Sequence, residues 1–81
     1  MSYYVYILEC CHKTLYTGIT TNLERRFKEH KSGKGGHFTR ANPPKKICYF
    51  EKQSNRSQAL KREAEIKRWS RAKKLALANS S

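Results

Sequence analysis

The strongest constraint on the fold of this chain is its first apolar segment, Tyr3–Cys10, in which aromatic and branched residues follow one another. Alternate side chains of a strand point to opposite faces of the sheet. The two faces would carry, respectively, Tyr3, Val5 and Ile7, and Tyr4, Tyr6 and Leu8. Since neither face is polar, both need cover from packed elements. The segment therefore predicts a central strand with structure on both sides of the sheet.

The next segments predict a hairpin and a helix. Residues 11–13 suit a short connection, and residues 14–18 suit a second strand that returns alongside the first. Residues 20–22, Thr-Thr-Asn, supply the helix N-cap candidates, and Glu24 follows in the first turn, where an acid favours the helix dipole. The helix is expected to end near residues 32–33, Ser-Gly.

The second half of the chain predicts one more strand and two more helices. A basic, glycine-rich loop is expected over residues 31–37, and the prolines at 43–44 exclude regular structure before a third strand at 46–51. Asn55 begins a capping-box pattern for a second helix, and Ser70 can cap a short last helix. The predicted order is ββαβαα.

These elements predict an α/β (α+β) fold. A small three-stranded sheet, containing antiparallel pairing, is expected to be flanked by helices. The 81 residues read as a single domain, because a chain of this length has no room for a second core.

The net charge indicates what the chain binds. Lys and Arg number 18 against 6 Asp and Glu, which leaves a formal charge of +12. A polyanionic partner relieves the self-repulsion of such a chain. Nucleic acid is the first partner to consider, and an anionic membrane surface is the second. No apolar run approaches the roughly 20 residues of a membrane-spanning helix. Of the two candidate partners we predict nucleic acid and not a membrane. The sequence leaves the oligomeric state open.

The cysteines and the N-terminus predict a cytoplasmic protein. Cys10 and Cys11 are adjacent, and Cys48 completes an odd set without a disulfide framework. Such a set is typical of reduced thiols in a cytosol. The N-terminus lacks a basic segment, and its apolar stretch ends at Glu9, so it does not resemble a secretory signal.

Four residues of the first half are candidates for chemistry. A hairpin can bring Tyr6 and Tyr16 together, and Arg26 and His30 project from one helix face because they are four residues apart. An arginine beside an apolar stripe is partly desolvated, which favours phosphate binding. The alternatives are that the tyrosines pack the core and that the arginine stem snorkels to water.

A fifth candidate, Glu63, is close to the inward stripe of the second predicted helix. Its carboxylate can pair with a neighbouring base, for which the candidates are Lys61, Arg62 and Lys67. It can equally serve as the hard oxygen ligand of a divalent cation.

In order and spacing, these candidates resemble the GIY-YIG nuclease family, in particular its small stand-alone members of the UPF0213 type. Residues 4–6, Tyr-Val-Tyr, stand where the family has Gly-Ile-Tyr, and residues 16–18, Tyr-Thr-Gly, stand where it has Tyr-Ile-Gly. Residues 18–26 resemble the segment that leads to the helical arginine, and residues 59–63 resemble the segment with the metal-binding glutamate. The resemblance extends from Tyr4 to about Leu77. Tyr4 and Thr17 depart from the family's glycine and isoleucine.

The resemblance implies a metal-dependent endonuclease that hydrolyses phosphodiester bonds in DNA. Glu63 would hold Mg²⁺ or Mn²⁺, and Arg26 would neutralise charge on the phosphate oxygens. Tyr6 would help to activate water as a general base, while Tyr16 and His30 would orient water or phosphate. Because tyrosine has an ordinary pKa of about 10, nearby cations are expected to favour its phenolate.

Basic residues outside this set predict contacts with the nucleic-acid backbone. The segment 31–40 is interpreted as a mobile contact, and the C-terminal helices contribute further bases. The predicted donors are Lys31, Lys34, His37, Arg40, Lys67 and Arg68. A solvated surface is the alternative for each.

The alternative function is a non-catalytic DNA- or RNA-binding module on the same scaffold. A nuclease with so little surface for reading bases is expected to recognise the shape of its substrate, such as branched, nicked or single-stranded DNA.

Overall fold

The segment Tyr3–Cys10 forms β1, the central strand of a three-stranded antiparallel sheet. The structure, a computed structural model, describes residues 2–79. β2 (Leu15–Thr20) and β3 (Pro44–Gln53) pair with the two edges of β1, in the order β2-β1-β3. Val5, Ile7 and Leu8 are completely buried. The prediction of a central strand covered on both faces is therefore confirmed.

Four helices surround the sheet. They are α1 (Leu23–Lys31), α2 (His37–Ala41), α3 (Arg56–Lys67) and α4 (Arg71–Asn79), and a short 3₁₀ turn, Cys11–Lys13, connects β1 to β2. No helix within residues 2–79 is long and apolar enough to cross a membrane. The α/β architecture with three strands and flanking helices agrees with the fold predicted from the sequence.

Each face of the sheet has its own small core. On one face, Val5 and Ile7 of β1 pack against Ala59 and Ile66 of α3. On the other face, Tyr6, Leu8 and Cys10 pack with side chains from α1 and from both edge strands: Tyr16, Leu23, Phe27 and Ile47. The alternation of β1 thus assigns Tyr6 to the face that α1 covers.

Side-chain caps begin three of the helices where the sequence predicts them. The Asn22 side chain accepts a hydrogen bond from the Arg25 amide at 3.0 Å, and Asn55 accepts one from the Gln58 amide at 2.9 Å. Ser70 accepts one from the Lys73 amide at 3.2 Å. A capping side chain satisfies an amide that the first helical turn leaves without a partner.

The elements differ from the predictions in three details. The segment predicted as a loop up to residue 40 contains α2, which follows Gly36 with a φ of 119°. β2 begins and ends later than the predicted 14–18, at Leu15–Thr20. β3 begins at Pro44 rather than at residue 46, and it ends at Gln53. A proline is compatible with the first residue of an edge strand, because the missing amide can lie on the unpaired side.

An ion-pair cluster joins α3 to β3. Arg62 Nε donates to both carboxylate oxygens of Glu51, each at 3.1 Å, and Glu51 also accepts from the Tyr49 hydroxyl at 2.7 Å. The Arg62 guanidinium lies 5.2 Å from the ring centre of Trp69. Trp69 is half-buried and packs against the core that β1 forms with α3. These contacts set the position of α3, which carries Glu63.

Candidate active site

The site is centred on the hydroxyl of Tyr6. This side chain is 2% exposed, and its Oη lies 2.8 Å from Nε2 of His30 on α1. The two residues meet because β1 directs Tyr6 toward the face that α1 covers. The structure therefore joins two of the candidates by a direct, buried hydrogen bond.

Tyr16 completes the aromatic wall of the site. Its ring centre lies 6.3 Å from that of Tyr6 and 5.0 Å from that of His30, which it meets edge-on. In the hairpin register Tyr6 is paired with Gly18, so Tyr16 is its diagonal neighbour. A Cβ atom at Gly18 would lie 2.7 Å from Tyr6 Oη, closer than real Cβ contacts. Glycine at position 18 therefore leaves the space that the tyrosine hydroxyl occupies.

Thr39 is a member of the site that sequence reasoning missed. Its Oγ1 lies 2.8 Å from Nδ1 of His30, and both side chains are almost completely buried. A threonine within a basic, glycine-rich segment carries no sequence signal of its own, and α2, which presents it, is only five residues long. A chain of hydrogen bonds thus runs from Tyr6 through His30 to Thr39.

The protonation state of His30 follows from this environment. Burial lowers the pKa of the imidazole, and the positive charge of Arg26 lowers it further. The ring is therefore neutral at pH 7, with one donor and one acceptor nitrogen. If Nδ1 donates to Thr39, then Nε2 accepts the Tyr6 proton; if Nδ1 accepts, Nε2 donates to the Tyr6 oxygen.

The backbone at Gly35 closes over the other side of the imidazole. A Cβ atom there would lie 2.0 Å from His30 Nδ1, so no larger residue fits without displacing the ring. The Gly35 carbonyl accepts a hydrogen bond of 3.3 Å from Arg26 Nη2. The Gly-Gly pair at positions 35–36 was the available signal for this close approach.

Arg26 lies where a guanidinium can meet both Tyr6 and solvent. Its Nη1 donates to Glu29 Oε1 at 3.0 Å, and 31% of its side chain remains exposed. Its charge acts on the Tyr6 hydroxyl, whose pKa it lowers. The predicted grouping of Tyr6, Tyr16, Arg26 and His30 is thus present in the structure, whereas their catalytic roles remain predictions.

Burial decides the pKa of Tyr6. It raises this pKa to about 12, and Arg26 opposes only part of the shift, while the negative charge of Glu63 adds to it. The expectation that nearby cations shift Tyr6 toward the phenolate is therefore wrong, because the effect of burial on its pKa exceeds the effect of Arg26. Most lysine and arginine side chains of residues 2–79 are exposed, so water screens their charges, whereas loss of hydration acts directly on the phenolate.

Glu63 lies near enough for its negative charge to act on the Tyr6 hydroxyl. Its side chain is 18% exposed, and its Oε2 lies 3.5 Å from Lys67 Nζ, one turn later in α3. Within residues 2–79 no three carboxylate, histidine or cysteine side chains cluster as a metal site. A lone carboxylate does not fit a protein-enclosed metal, but it fits Mg²⁺, which keeps several waters and shares its coordination with substrate phosphates.

The predicted nucleic-acid donors are all on the surface. Lys31 ends α1, where its Nζ lies 5.7 Å from the ring centre of Phe27. The others occupy the segment that leads into α2, α2 itself and the C-terminal end of α3: Lys34, His37, Arg40, Lys67 and Arg68. Among these six, Lys67 forms an ion pair with Glu63, the predicted metal ligand. Their role in binding nucleic acid stays a prediction.

A basic groove that the sequence did not reveal adjoins Arg26. It encloses about 400 Å³, and Arg25, Arg56 and Glu29 line it together with Arg26. Arg56 belongs to the first turn of α3 and lies far from Arg25 along the chain. Only the packing of the helices on the sheet brings these guanidinium groups together.

The two departures from the family motifs are accommodated differently. The ring of Tyr4 packs edge-on against Phe50, with 6.2 Å between ring centres, and leaves the contacts of Tyr6 intact. Thr17 is 3% exposed and is paired with Ile7, and its Oγ1 has no hydrogen-bond partner among the described residues. A threonine thus occupies an apolar core position where the family motif has isoleucine.

Comparison with known proteins agrees with the motifs. The family model of the GIY-YIG catalytic domain matches residues 2–76. A UPF0213 protein of Syntrophus aciditrophicus is 55% identical over 75 residues, which cover 91% of this chain and 86% of the relative. One from Haloquadratum walsbyi is 50% identical, with 94% and 85% covered.

Two solution NMR structures are similar in fold as well. The UPF0213 protein of Bacillus halodurans has a TM-score of 0.63 and 41% identity, over 100% of this chain and 86% of that one. A protein from E. faecalis has a TM-score of 0.64 and 38% identity, over 98% and 85%. The resemblance inferred from the motifs is confirmed: this chain belongs to the GIY-YIG family and groups with its UPF0213 proteins.

Proposed function

We propose that this protein is a metal-dependent endonuclease that hydrolyses phosphodiester bonds in DNA. The observation that carries the proposal is the buried hydrogen bond of 2.8 Å between Tyr6 and His30, with the Arg26 guanidinium beside it. A general base, its proton acceptor and a cation for phosphate thus meet at one point, where Tyr6 and His30 are buried and Arg26 reaches solvent. Membership of a family whose model is named for a catalytic domain supports the same assignment.

Tyr6 acts as the general base through His30. With a pKa raised to about 12 by burial, Tyr6 holds little phenolate at neutral pH. The neutral imidazole avoids this difficulty, because Nε2 can take the hydroxyl proton while the phenol oxygen accepts a proton from the attacking water. Nδ1 keeps its own proton and donates it in the hydrogen bond to Thr39 Oγ1. The water oxygen then forms the new bond to phosphorus as the bond to the leaving oxygen breaks.

Arg26 stabilises the charge that grows on the non-bridging phosphate oxygens. Its guanidinium is held on one side by Glu29 and on the other by the Gly35 carbonyl, so it is positioned before the substrate arrives. A positioned donor contributes more than a mobile one because it needs no reorganisation during the reaction. Tyr16 lines the same space and orients the water or the phosphate.

Glu63 would hold the divalent metal ion. When bound, Mg²⁺ or Mn²⁺ would polarise the scissile phosphate and stabilise the leaving oxygen. The carboxylate of Glu63 raises the pKa of Tyr6, and compensation of that charge favours proton loss from the phenol. Lys67, at 3.5 Å, provides part of this compensation already.

Exposed basic side chains bind the nucleic-acid backbone. They lie at the end of α1, in the segment before α2, in α2 and at the end of α3: Lys31, Lys34, His37, Arg40, Lys67 and Arg68. Such contacts fix the position of the strand without reading its sequence. We therefore expect selectivity for the structure of the DNA, such as a branch, a nick or a single-stranded region.

A non-catalytic binding module is the second candidate function. The 2% exposure of Tyr6 favours it, since a buried tyrosine with a raised pKa also suits a purely structural role. Under this alternative the charge of +12 still binds nucleic acid, but no turnover follows.

The decisive experiment incubates the pure protein with labelled linear, nicked and branched DNA and with RNA, with and without Mg²⁺ or Mn²⁺. Wild-type protein should cleave DNA only with metal, and Glu63→Gln should abolish cleavage and retain most of the binding. Glu65→Gln is the matched control, because this exposed carboxylate is on the same helix and pairs with Arg62 instead. Tight binding without cleavage of any substrate would support the binding module. If the Glu63→Gln variant cleaves DNA at the wild-type rate, Glu63 is excluded as the metal ligand.

We also propose that the protein acts in the cytoplasm. Cys10, Cys11 and Cys48 all carry unpaired thiols, as is typical of proteins in a reducing compartment. Cell fractionation with an antibody to the protein tests the location, and recovery from a secreted fraction would contradict it.

A further inference from the structure

Phe38 of α2 is an exposed aromatic residue that adjoins the catalytic set. It is 40% exposed, and its ring lies 5.7 Å from that of Tyr16, with 31° between the ring planes. The Tyr16 ring in turn contacts His30. Phe38 is therefore the outermost ring of an aromatic series that begins inside the site and ends in solvent.

The same ring lines a groove at the free edge of β2. The groove encloses about 370 Å³ and lies between α2 and α4, with Lys13, Arg71 and Lys74 among its lining residues. Thr14 and Leu15 complete it, and no carboxylate belongs to the lining within the described part of the chain. The groove thus combines one open aromatic face with three cations.

We propose that this groove binds an unpaired nucleotide of the substrate strand. The nucleobase stacks on Phe38, and the adjacent phosphates contact the three cations. The proposal rests on the proposed function to the extent that the polyanion is nucleic acid. It adds which part of the substrate is held, and where, relative to the scissile bond.

Charge and shape favour this occupant over a paired one. A base inside a duplex has both faces covered by its neighbours, so it cannot stack on a protein side chain. The groove is also at the lower end of the volumes of small-ligand sites, about 300–1,000 Å³, which suits one nucleotide rather than a double helix. A duplex would contact the cations at the rim and leave Phe38 without a role.

The placement relative to Tyr16 gives the groove a consequence for selectivity. Because Phe38 contacts Tyr16 directly, a nucleobase stacked on Phe38 is separated from Tyr16 only by the Phe38 ring. The scissile phosphate would then lie close to an unpaired position. Substrates with a single-stranded segment, a flap or a frayed end satisfy this condition.

Binding measured without metal separates this proposal from catalysis. Fluorescence anisotropy in the presence of EDTA compares a labelled single-stranded oligonucleotide with a blunt hairpin duplex of the same composition. Phe38→Leu should weaken binding of the single strand by about 5- to 100-fold, the usual effect of losing one stacking platform, and leave duplex binding nearly unchanged. Lys74→Gln should weaken both and reduce the salt dependence of both.

Phe50→Leu is the matched control. Phe50 is 56% exposed on β3 and packs against Tyr4, and it lines neither this groove nor the one beside Arg26. Its replacement should change neither affinity. Equal weakening of single-stranded and duplex DNA by Phe38→Leu, with an unchanged circular dichroism spectrum, would overturn the proposal. So would polyglutamate binding as tightly as the oligonucleotide.

A second variant covers the case in which Phe38→Leu does not fold. Phe38→Trp in a Trp69→Phe background places the single indole in the groove, and stacking of a base should quench its fluorescence. An oligonucleotide that binds without quenching would exclude the groove as its site. If no substrate is ever cleaved but the quenching and the single-strand preference hold, the binding site stands and the nuclease function fails. If DNA is cleaved and Phe38 has no effect, only the groove proposal fails.

Discussion

The hydroxyl of Tyr6 and the imidazole of His30 are separated by 24 residues of sequence and joined by a buried hydrogen bond of 2.8 Å. This contact couples a weak acid, whose pKa burial raises to about 12, to a base whose pKa burial lowers. Both groups are therefore neutral at pH 7, and a proton can pass between them without either one carrying a charge beforehand.

Removal of the Tyr6 hydroxyl should separate catalysis from folding. Tyr6→Phe keeps the ring that packs between β1 and α1, so cleavage should fall by roughly 10²–10⁴-fold, the usual effect of losing a general base. The free energy of unfolding should fall by only about 1–3 kcal/mol, because His30 Nε2 loses its partner. Tyr4→Phe on the same strand is the control and should cleave normally. Normal cleavage by Tyr6→Phe, measured on the preferred substrate, would exclude Tyr6 as the base.

The hydroxyl of Thr39 should determine which nitrogen of His30 carries the proton. Thr39→Val removes the partner of Nδ1, at 2.8 Å, while keeping the shape of the side chain. We expect a shift in the tautomer populations, visible in the ¹⁵N chemical shifts of the ring, and a rate reduced by a factor of about 2–10, equivalent to one hydrogen bond. Thr39→Ser should restore both. Unchanged ring shifts in Thr39→Val would mean that Thr39 does not position the imidazole.

Arg26 should be needed for rate more than for affinity. Arg26→Lys keeps the positive charge but loses the planar fork that donates to both Glu29 and Gly35. Cleavage should fall by about 10²–10³-fold, as for the loss of a positioned donor, and DNA binding should change little. Arg25→Lys is a closely matched control. The Arg25 side chain is more exposed than that of Arg26, and it lies 3.9 Å from Glu29, against 3.0 Å for Arg26. Equal effects of the two substitutions on cleavage would argue against a special role for Arg26.

The pH dependence of cleavage should distinguish the proton path through His30 from direct use of the phenolate. The path requires a neutral imidazole, and the lowered pKa of His30 keeps it neutral at and above its ordinary value of about 6.5. The single-turnover rate should therefore fall only on the acid side and be level from pH 7 to 9. A rate that instead rises about tenfold per pH unit would show that the phenolate itself must form. Below a pKa of about 12, the fraction of Tyr6 that is ionised rises by this factor with each pH unit.

Acid should also destabilise the fold through His30. A histidine whose pKa is lowered on folding contributes stability above its unfolded pKa, and this contribution is lost as pH falls through the folded pKa. Denaturant titrations should therefore show a smaller free energy of unfolding at pH 5 than at pH 7. His30→Gln, which does not titrate, should reduce the difference, whereas the exposed His37→Gln should keep it. The same difference in all three proteins would assign the acid sensitivity to other groups.

Local sequence signals determined the architecture and the family. The two apolar faces of Tyr3–Cys10 made this strand central, because each face had to be covered. Residues 20–22 and Asn55 marked the helix starts, and Asn22 is the cap of the first one, since a capping side chain acts on amides only two or three residues away. The motif order likewise placed Tyr6 and Arg26 in one site, and the structure brings them together.

Only the tertiary structure decided how the site is assembled and how it is charged. Thr39 and Gly35 meet His30 through the approach of α2 to α1, and α2 is too short to show a periodic pattern in sequence. Phe38 became a groove residue because α4 packs near the free edge of β2. The pKa of Tyr6 was expected to fall in a chain of net charge +12, but burial raised it. Charge can be counted along a sequence, whereas the exclusion of water depends on which side chains surround a group once the chain has folded.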